Sequence, residues 1–186
     1  ASLYYKKYGQ SDRERILSLA RSCVGIREGT AAHHAIVDAY NAVRPLPRHY
    51  TVKYTDAWCA TFISYLSVSC GLTDIIPVEC GCEEQIKLFQ SIGSWVEDDA
   101  YTPRPGDIVY YDWQDTGSGD DTGHSDHVGI VESCDGLSAV VIEGNYSDMV
   151  KRRTISINGR YIRGYGVPKY NDGTAYVVGW NHDSKG

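Results

Sequence analysis

Three stretches of this sequence carry side chains whose types and order could cut an amide bond. Cys59 follows Asp56-Ala57-Trp58 and opens an apolar run with helical spacing, Phe62, Ile63 and Leu66. With Asp56 read as the N-cap, Cys59 becomes the third residue of that helix. There the backbone N–H groups lack intrahelical partners, and the positive end of the helix dipole favours a thiolate. The same N–H groups could hold the oxyanion that forms when a carbonyl is attacked. Cys59 could equally be a small buried residue aligned with its apolar neighbours. His127 opens the strand-like run His127-Val-Gly-Ile-Val-Glu132 after a polar loop. An imidazole at that sheet edge could take the thiol proton and later protonate a leaving amine. Glu143 and Asn145 end the next run, and either could accept from the imidazole N–H and orient it, although polar residues at a strand end also serve as turn formers.

Four successive segments, Asp56-Ala-Trp-Cys-Ala-Thr-Phe-Ile-Ser64, Arg104-Pro-Gly-Asp-Ile-Val109, His127-Val-Gly-Ile-Val131 and Ile142-Glu-Gly-Asn145, resemble the signatures of the CHAP family. These are the cysteine, histidine-dependent amidohydrolases/peptidases, many of them phage endolysins or bacterial autolysins. The resemblance spans residues 12–168. It implies a papain-like α+β fold, with N-terminal helices packed on a C-terminal antiparallel β-sheet. It also implies cleavage of peptidoglycan, either at the amide joining muramic acid to the stem peptide (amidase) or within the peptides (endopeptidase). Carried over by position, Cys59 is the nucleophile, His127 the base, Glu143 the orienting group and Asn145 a further active-site amide. Trp58 and Asp56 would lie beside the cleft as substrate-binding residues. The expected chemistry uses no cofactor and no metal.

The elements that must position these residues are legible as local patterns. Ser11 with Glu14 forms a capping box, and Ile16, Leu17, Leu19, Ala20, Cys23 and Val24 fall mainly on one side of a helix that stops at Gly25. Further helices are expected over Ala31 to Val43, Ala57 to Cys70 and Glu83 to Ile92. From Pro103 the period changes to two, with strands expected over Asp107 to Trp113, His127 to Cys134, Leu137 to Glu143, Val150 to Ile157 and Tyr161 to Val167. Helices first and strands later indicate α+β with an antiparallel sheet. A three-residue turn with Gly136 left-handed would pair Ser133 with Leu137 and set His127 directly opposite Glu143, with Asn145 on the diagonal. Residues 1–170 read as one catalytic domain, and 171–186 as a linker toward a possible wall-binding domain.

Composition narrows the function. The chain has 186 residues and a formal net charge of −6. That charge argues against non-specific nucleic-acid binding and gives no attraction to anionic membranes or wall polymers. The expected partner is peptidoglycan, with no nucleic acid and no membrane, and with a monomeric chain whose targeting comes from elsewhere. The N-terminus lacks the apolar run of a signal peptide, which implies synthesis in the cytoplasm and action at the wall after release. The six cysteines are too sparse for a disulfide scaffold and read as mostly reduced, buried thiols. Asp112, Asp115, Asp120, Asp121 and Asp126 lack the spacing of a calcium loop and read as a solvated segment. His33 and His34 diverge on a helix, and Lys151-Arg152-Arg153 reads as an exposed strand end. Two other functions fit the pattern: a papain-like cysteine peptidase acting on protein, and a non-catalytic wall-binding domain.

Overall fold

In the computed structural model, which describes residues 10–115 and 124–171, the first two helices start at capping side chains. The Glu14 N–H donates to Ser11 Oγ at 3.1 Å, and α1 runs Asp12–Cys23. The His33 N–H donates to Thr30 Oγ1 at 3.3 Å, and α2 runs Ala31–Asn41. Two more helices follow, α3 over Cys59–Ser69 and α4 over Cys82–Ser91. The expected linker beyond residue 171, the N-terminal segment, and Asp120 and Asp121 lie outside the described residues. Among the described residues, no helix is long and apolar enough to cross a membrane.

Among the described residues six strands follow: β1 Trp95–Val96, β2 Ile108–Tyr111, β3 His127–Cys134, β4 Ser138–Glu143, β5 Lys151–Ser156 and β6 Ile162–Gly166. They form one sheet in the order β1-β6-β2-β3-β4-β5, with every pair antiparallel. The fold class is thus the expected α+β. Strand β1 was not expected, since two residues are too few to display an alternation.

Helix α3 is buried nearly all round because it is central. Phe62, Ile63 and Leu66 share a core with Ile16 and Ala20 of α1 and with Ile108, Tyr110, Val128, Ile130 and Ile142 from one face of the sheet. The opposite face carries Val109, Tyr111, Val131, Val141 and Tyr165 in a second cluster. This two-sided burial is why β2 reads as an unbroken apolar run. A Cβ at Gly144 would come within 2.6 Å of Phe62 Cβ, so glycine lets the end of β4 close onto α3.

The expected β3–β4 register is corrected by the structure. The Asp135 N–H donates to the Ser138 carbonyl, which leaves Gly136-Leu137 as the two-residue loop, and Cys134 pairs with Ala139. The register then shifts between Val131 and Ser133, a bulge that puts Ile130 against Ile142. Continuing that register sets Gly129, not His127, opposite Glu143. Glu143 is therefore the diagonal neighbour of His127.

Candidate active site

Helix α3 begins at Cys59 itself, with Trp58 in the N-cap position and no side chain capping it. Asp56 is not the cap. Its Oδ2 instead accepts from the Tyr50 hydroxyl at 2.6 Å and from the Lys53 N–H at 2.9 Å, closing the turn that leads into the helix. The first intrahelical bond runs from the Phe62 N–H to the Trp58 carbonyl. The N–H groups of Cys59, Ala60 and Thr61 thus precede the helical ladder, and no capping side chain competes for them. A polar cap would occupy donors that chemistry at Cys59 could use.

Cys59 is buried, with 6% of its surface exposed. Its pKa nevertheless lies well below that of an ordinary thiol. A hydrogen bond from Cys82 lowers it most, burial opposes, and His127 and the Ala60 N–H lower it further. The Cys82 sulfur lies 3.8 Å away, and its own pKa is pushed well up, chiefly by the hydrogen bond it donates to Cys59, then by burial and the Cys59 charge. His127 is raised to about 9: burial pulls it down, but hydrogen bonds to Cys59 and Glu143 and their charges outweigh burial. A thiolate beside an imidazolium is the resting pair these shifts favour.

His127 Nε2 lies 2.9 Å from Glu143 Oε1, so that ring nitrogen is taken up by the carboxylate. The diagonal contact works because Gly129 stands between the two: a Cβ there would lie 2.6 Å from Glu143 Cγ and 2.4 Å from Val141 Cγ1. Glu143 is fully buried, and Arg153 Nε reaches its two oxygens at 3.0 and 2.9 Å. Burial alone would raise the Glu143 pKa, but hydrogen bonds from His127 and Arg153 keep it below the ordinary carboxylate range. The Arg153 guanidinium stacks over Tyr146 at 4.1 Å and over Trp113 at 5.0 Å. Trp113 in turn stacks on Tyr111 at 4.8 Å, lies 6.0 Å from the His127 ring and is 40% exposed.

Glu143 thus holds His127 by a hydrogen bond, and His127 couples electrostatically to Cys59. Asn145 does not join them. It is half-buried, turns left-handed at φ 58°, and makes no side-chain hydrogen bond to His127 or Cys59. Trp58 is fully buried and donates from Nε1 to Glu28 at 2.8 Å, so its ring supports the helix start and cannot lie along a substrate. His33 is also buried, against Trp58, while His34 stacks on Tyr54. Asp112 and Asp126 accept from the Gln114 and Trp113 N–H groups and so shape the loop they border. The basic run splits: Arg152 pairs with Glu132, whereas Arg153 belongs to the site. Sequence reasoning missed Arg153, Trp113 and Cys82. Trp113 carried a signal as an aromatic residue beside a polar loop. The other two carried none, because only the sheet register and the α3–α4 packing reveal them.

A family model described as CHAP domain matches residues 49–145, more than half of the chain and all of the segment from Cys59 through Asn145. Among curated proteins, none matches this sequence. The crystal structure of Ly7917 is 20% identical, with 84% of this chain and 62% of that chain covered and a TM-score of 0.42. The crystal structure of Ly7917 with the hydrolyzing product of MDP is 20% identical, with 59% of this chain and 53% of that chain covered and a TM-score of 0.38. The matched part thus spans 53 to 62% of those chains.

Proposed function

This chain belongs to the CHAP family, and from that premise we propose that it is a thiol-dependent peptidoglycan hydrolase, an amidase or endopeptidase acting at the bacterial cell wall. The observation that carries the reading is the uncapped helix start at Cys59, whose thiol and the His127 imidazole shift each other's pKa, with His127 held by Glu143 at 2.9 Å. The Cys59 thiolate attacks the scissile carbonyl carbon. N–H groups of the first turn of α3 hold the oxyanion, and the His127 imidazolium protonates the departing amine. Water then attacks the thioester while His127 takes its proton, which restores the ion pair and releases the acid. Glu143 holds the ring in place throughout, and Arg153 keeps that carboxylate ionised. Trp113, 40% exposed beside His127, offers ring surface that a sugar or peptide can touch.

The deciding experiment is mass spectrometry of fragments released from purified peptidoglycan of known composition. Amidase action leaves muramic acid with a free lactyl carboxyl and a stem peptide with a free alanine amine. Endopeptidase action leaves that alanine on the sugar and opens a peptide bond further along. A folded chain that opens no amide in peptidoglycan overturns the proposal.

Gly129→Ala is expected to lower kcat/KM for fragment release by roughly 10- to 100-fold, since misplacing a reacting group by about 1 Å has that scale of effect. Crowding of Glu143 Cγ is the cause, so an overpacking loss of stability of about 1–3 kcal/mol, seen as a lower melting temperature, should accompany it. Unchanged kinetics would mean that Glu143 reaches His127 by some other path.

A further inference from the structure

Helices α3 and α4 each begin with a cysteine, and the two starts converge. Cys59 and Cys82 are both buried, with their sulfurs 3.8 Å apart. The approach is held on every side. The Glu79 carboxylate pairs with Arg48 and accepts from the Cys80 and Gly81 N–H groups, which sets the turn that delivers Cys82. Gln85, one turn along α4, donates to the Pro77 carbonyl at 2.9 Å and accepts from the Tyr110 hydroxyl at 2.6 Å. Ser64 of α3 accepts from the Glu79 N–H and donates to its carbonyl, which ties the same turn to the helix of the nucleophile. Amide hydrolysis needs one thiol, yet this scaffold presses a second against it.

We propose that Cys59 and Cys82 are a reversible disulfide site, in which Cys82 captures the peroxide-oxidised nucleophile and shuts the enzyme. The loss of activity rests on Cys59 being the nucleophile; the bond itself does not. The Cys59 thiolate attacks one oxygen of hydrogen peroxide, forming an S–O bond and breaking O–O. Hydroxide leaves and takes a proton to become water; the sulfur is oxidised to sulfenic acid as the peroxide is reduced. Cys82 then gives up its proton and attacks the Cys59 sulfur. The S–S bond forms, the S–O bond breaks, and the departing hydroxide leaves as water with that proton. An S–S bond of about 2.05 Å requires the sulfurs to close by less than 2 Å, within reach of side-chain rotation. The low pKa of Cys59 suits it to the first step, while the protonated Cys82 stays intact until an electrophilic sulfur appears beside it. Two exchanges with a dithiol reductant restore both thiols.

The test exposes the reduced full chain to hydrogen peroxide, blocks the remaining thiols, and maps peptides without reduction while following fragment release from peptidoglycan. The expected product is the Cys59 peptide joined to the Cys82 peptide with loss of two hydrogens, accompanied by lost activity that dithiothreitol restores. Cys82→Ser, scored against its own starting rate, should instead accumulate sulfinic acid at Cys59 and fail to recover. Sulfinic acid at Cys59 of the unmodified sequence, or Cys59 joined to any other cysteine, overturns the proposal without any appeal to the variant. A Cys59–Cys82 bond with activity retained overturns the switch and removes Cys59 as the nucleophile.

Discussion

Cys59→Ala is expected to lower kcat for release of peptidoglycan fragments by roughly 10^4- to 10^6-fold, the scale seen when a covalent nucleophile is deleted and only binding and oxyanion contacts remain. The fold should survive. The side chain is small, it sits at the first turn of a helix whose other contacts are untouched, and His127 retains Glu143 as partner. A stability change of about 1 kcal/mol is the expected scale for one lost buried atom. The controls are Cys70→Ala and Cys134→Ala, which should keep activity because neither sulfur is linked to His127. Circular dichroism melts with initial rates on purified peptidoglycan check all three. Comparable losses in a folded Cys70→Ala chain would assign the chemistry to the wrong thiol.

Replacing Glu143 with Gln should cost about 10^2- to 10^4-fold in kcat, as expected when the residue that orients a catalytic imidazole loses its charge. Size is preserved, so the effect is electrostatic and tautomeric. The variant leaves Arg153 without its carboxylate, but that side chain is 27% exposed and can turn to water. The pH profile carries the sharper signature. Glu143 favours the imidazolium form and helps raise His127 to about 9. The ion pair is therefore lost in the parent chain as pH rises through about 9. Without the carboxylate the imidazolium is less favoured, its pKa falls, and the alkaline limb of kcat/KM moves to lower pH. The acid limb, governed by the depressed Cys59 thiol, should move far less. Undiminished turnover with an unmoved alkaline limb would remove Glu143 from the site.

The parts of this molecule that depend on near neighbours were readable before any coordinates. A capping interaction spans three residues, so Ser11 and Glu14 announced α1 at its true start. Apolar spacing announced four helices to within a few residues, and strand-like runs announced five of the six strands found among the described residues. The order and types of Cys59, His127 and Glu143 were likewise visible, because a cysteine at a helix start and a histidine at a strand end have local signatures. Even there the local reading failed at Asp56, where the expected cap serves a turn and leaves the helix start open. Such a conflict between local preference and structure is what a functional site imposes.

Contacts between distant segments were decided elsewhere. Cys59 and Cys82 lie 23 residues apart, and nothing near either one specifies that their helices should begin side by side. Arg153 reads as one of three basic residues until β5 pairs with β4 and turns it toward Glu143. The His127–Glu143 contact depends on a two-residue loop at Gly136-Leu137, a bulge after Val131 and the missing side chain of Gly129. A strand's side chains alternate with period two, so one inserted residue exchanges its faces, and the bulge that does so is selected by packing across the sheet. Spacing along the chain named the candidate groups, and the register of the sheet determined that His127 meets Glu143.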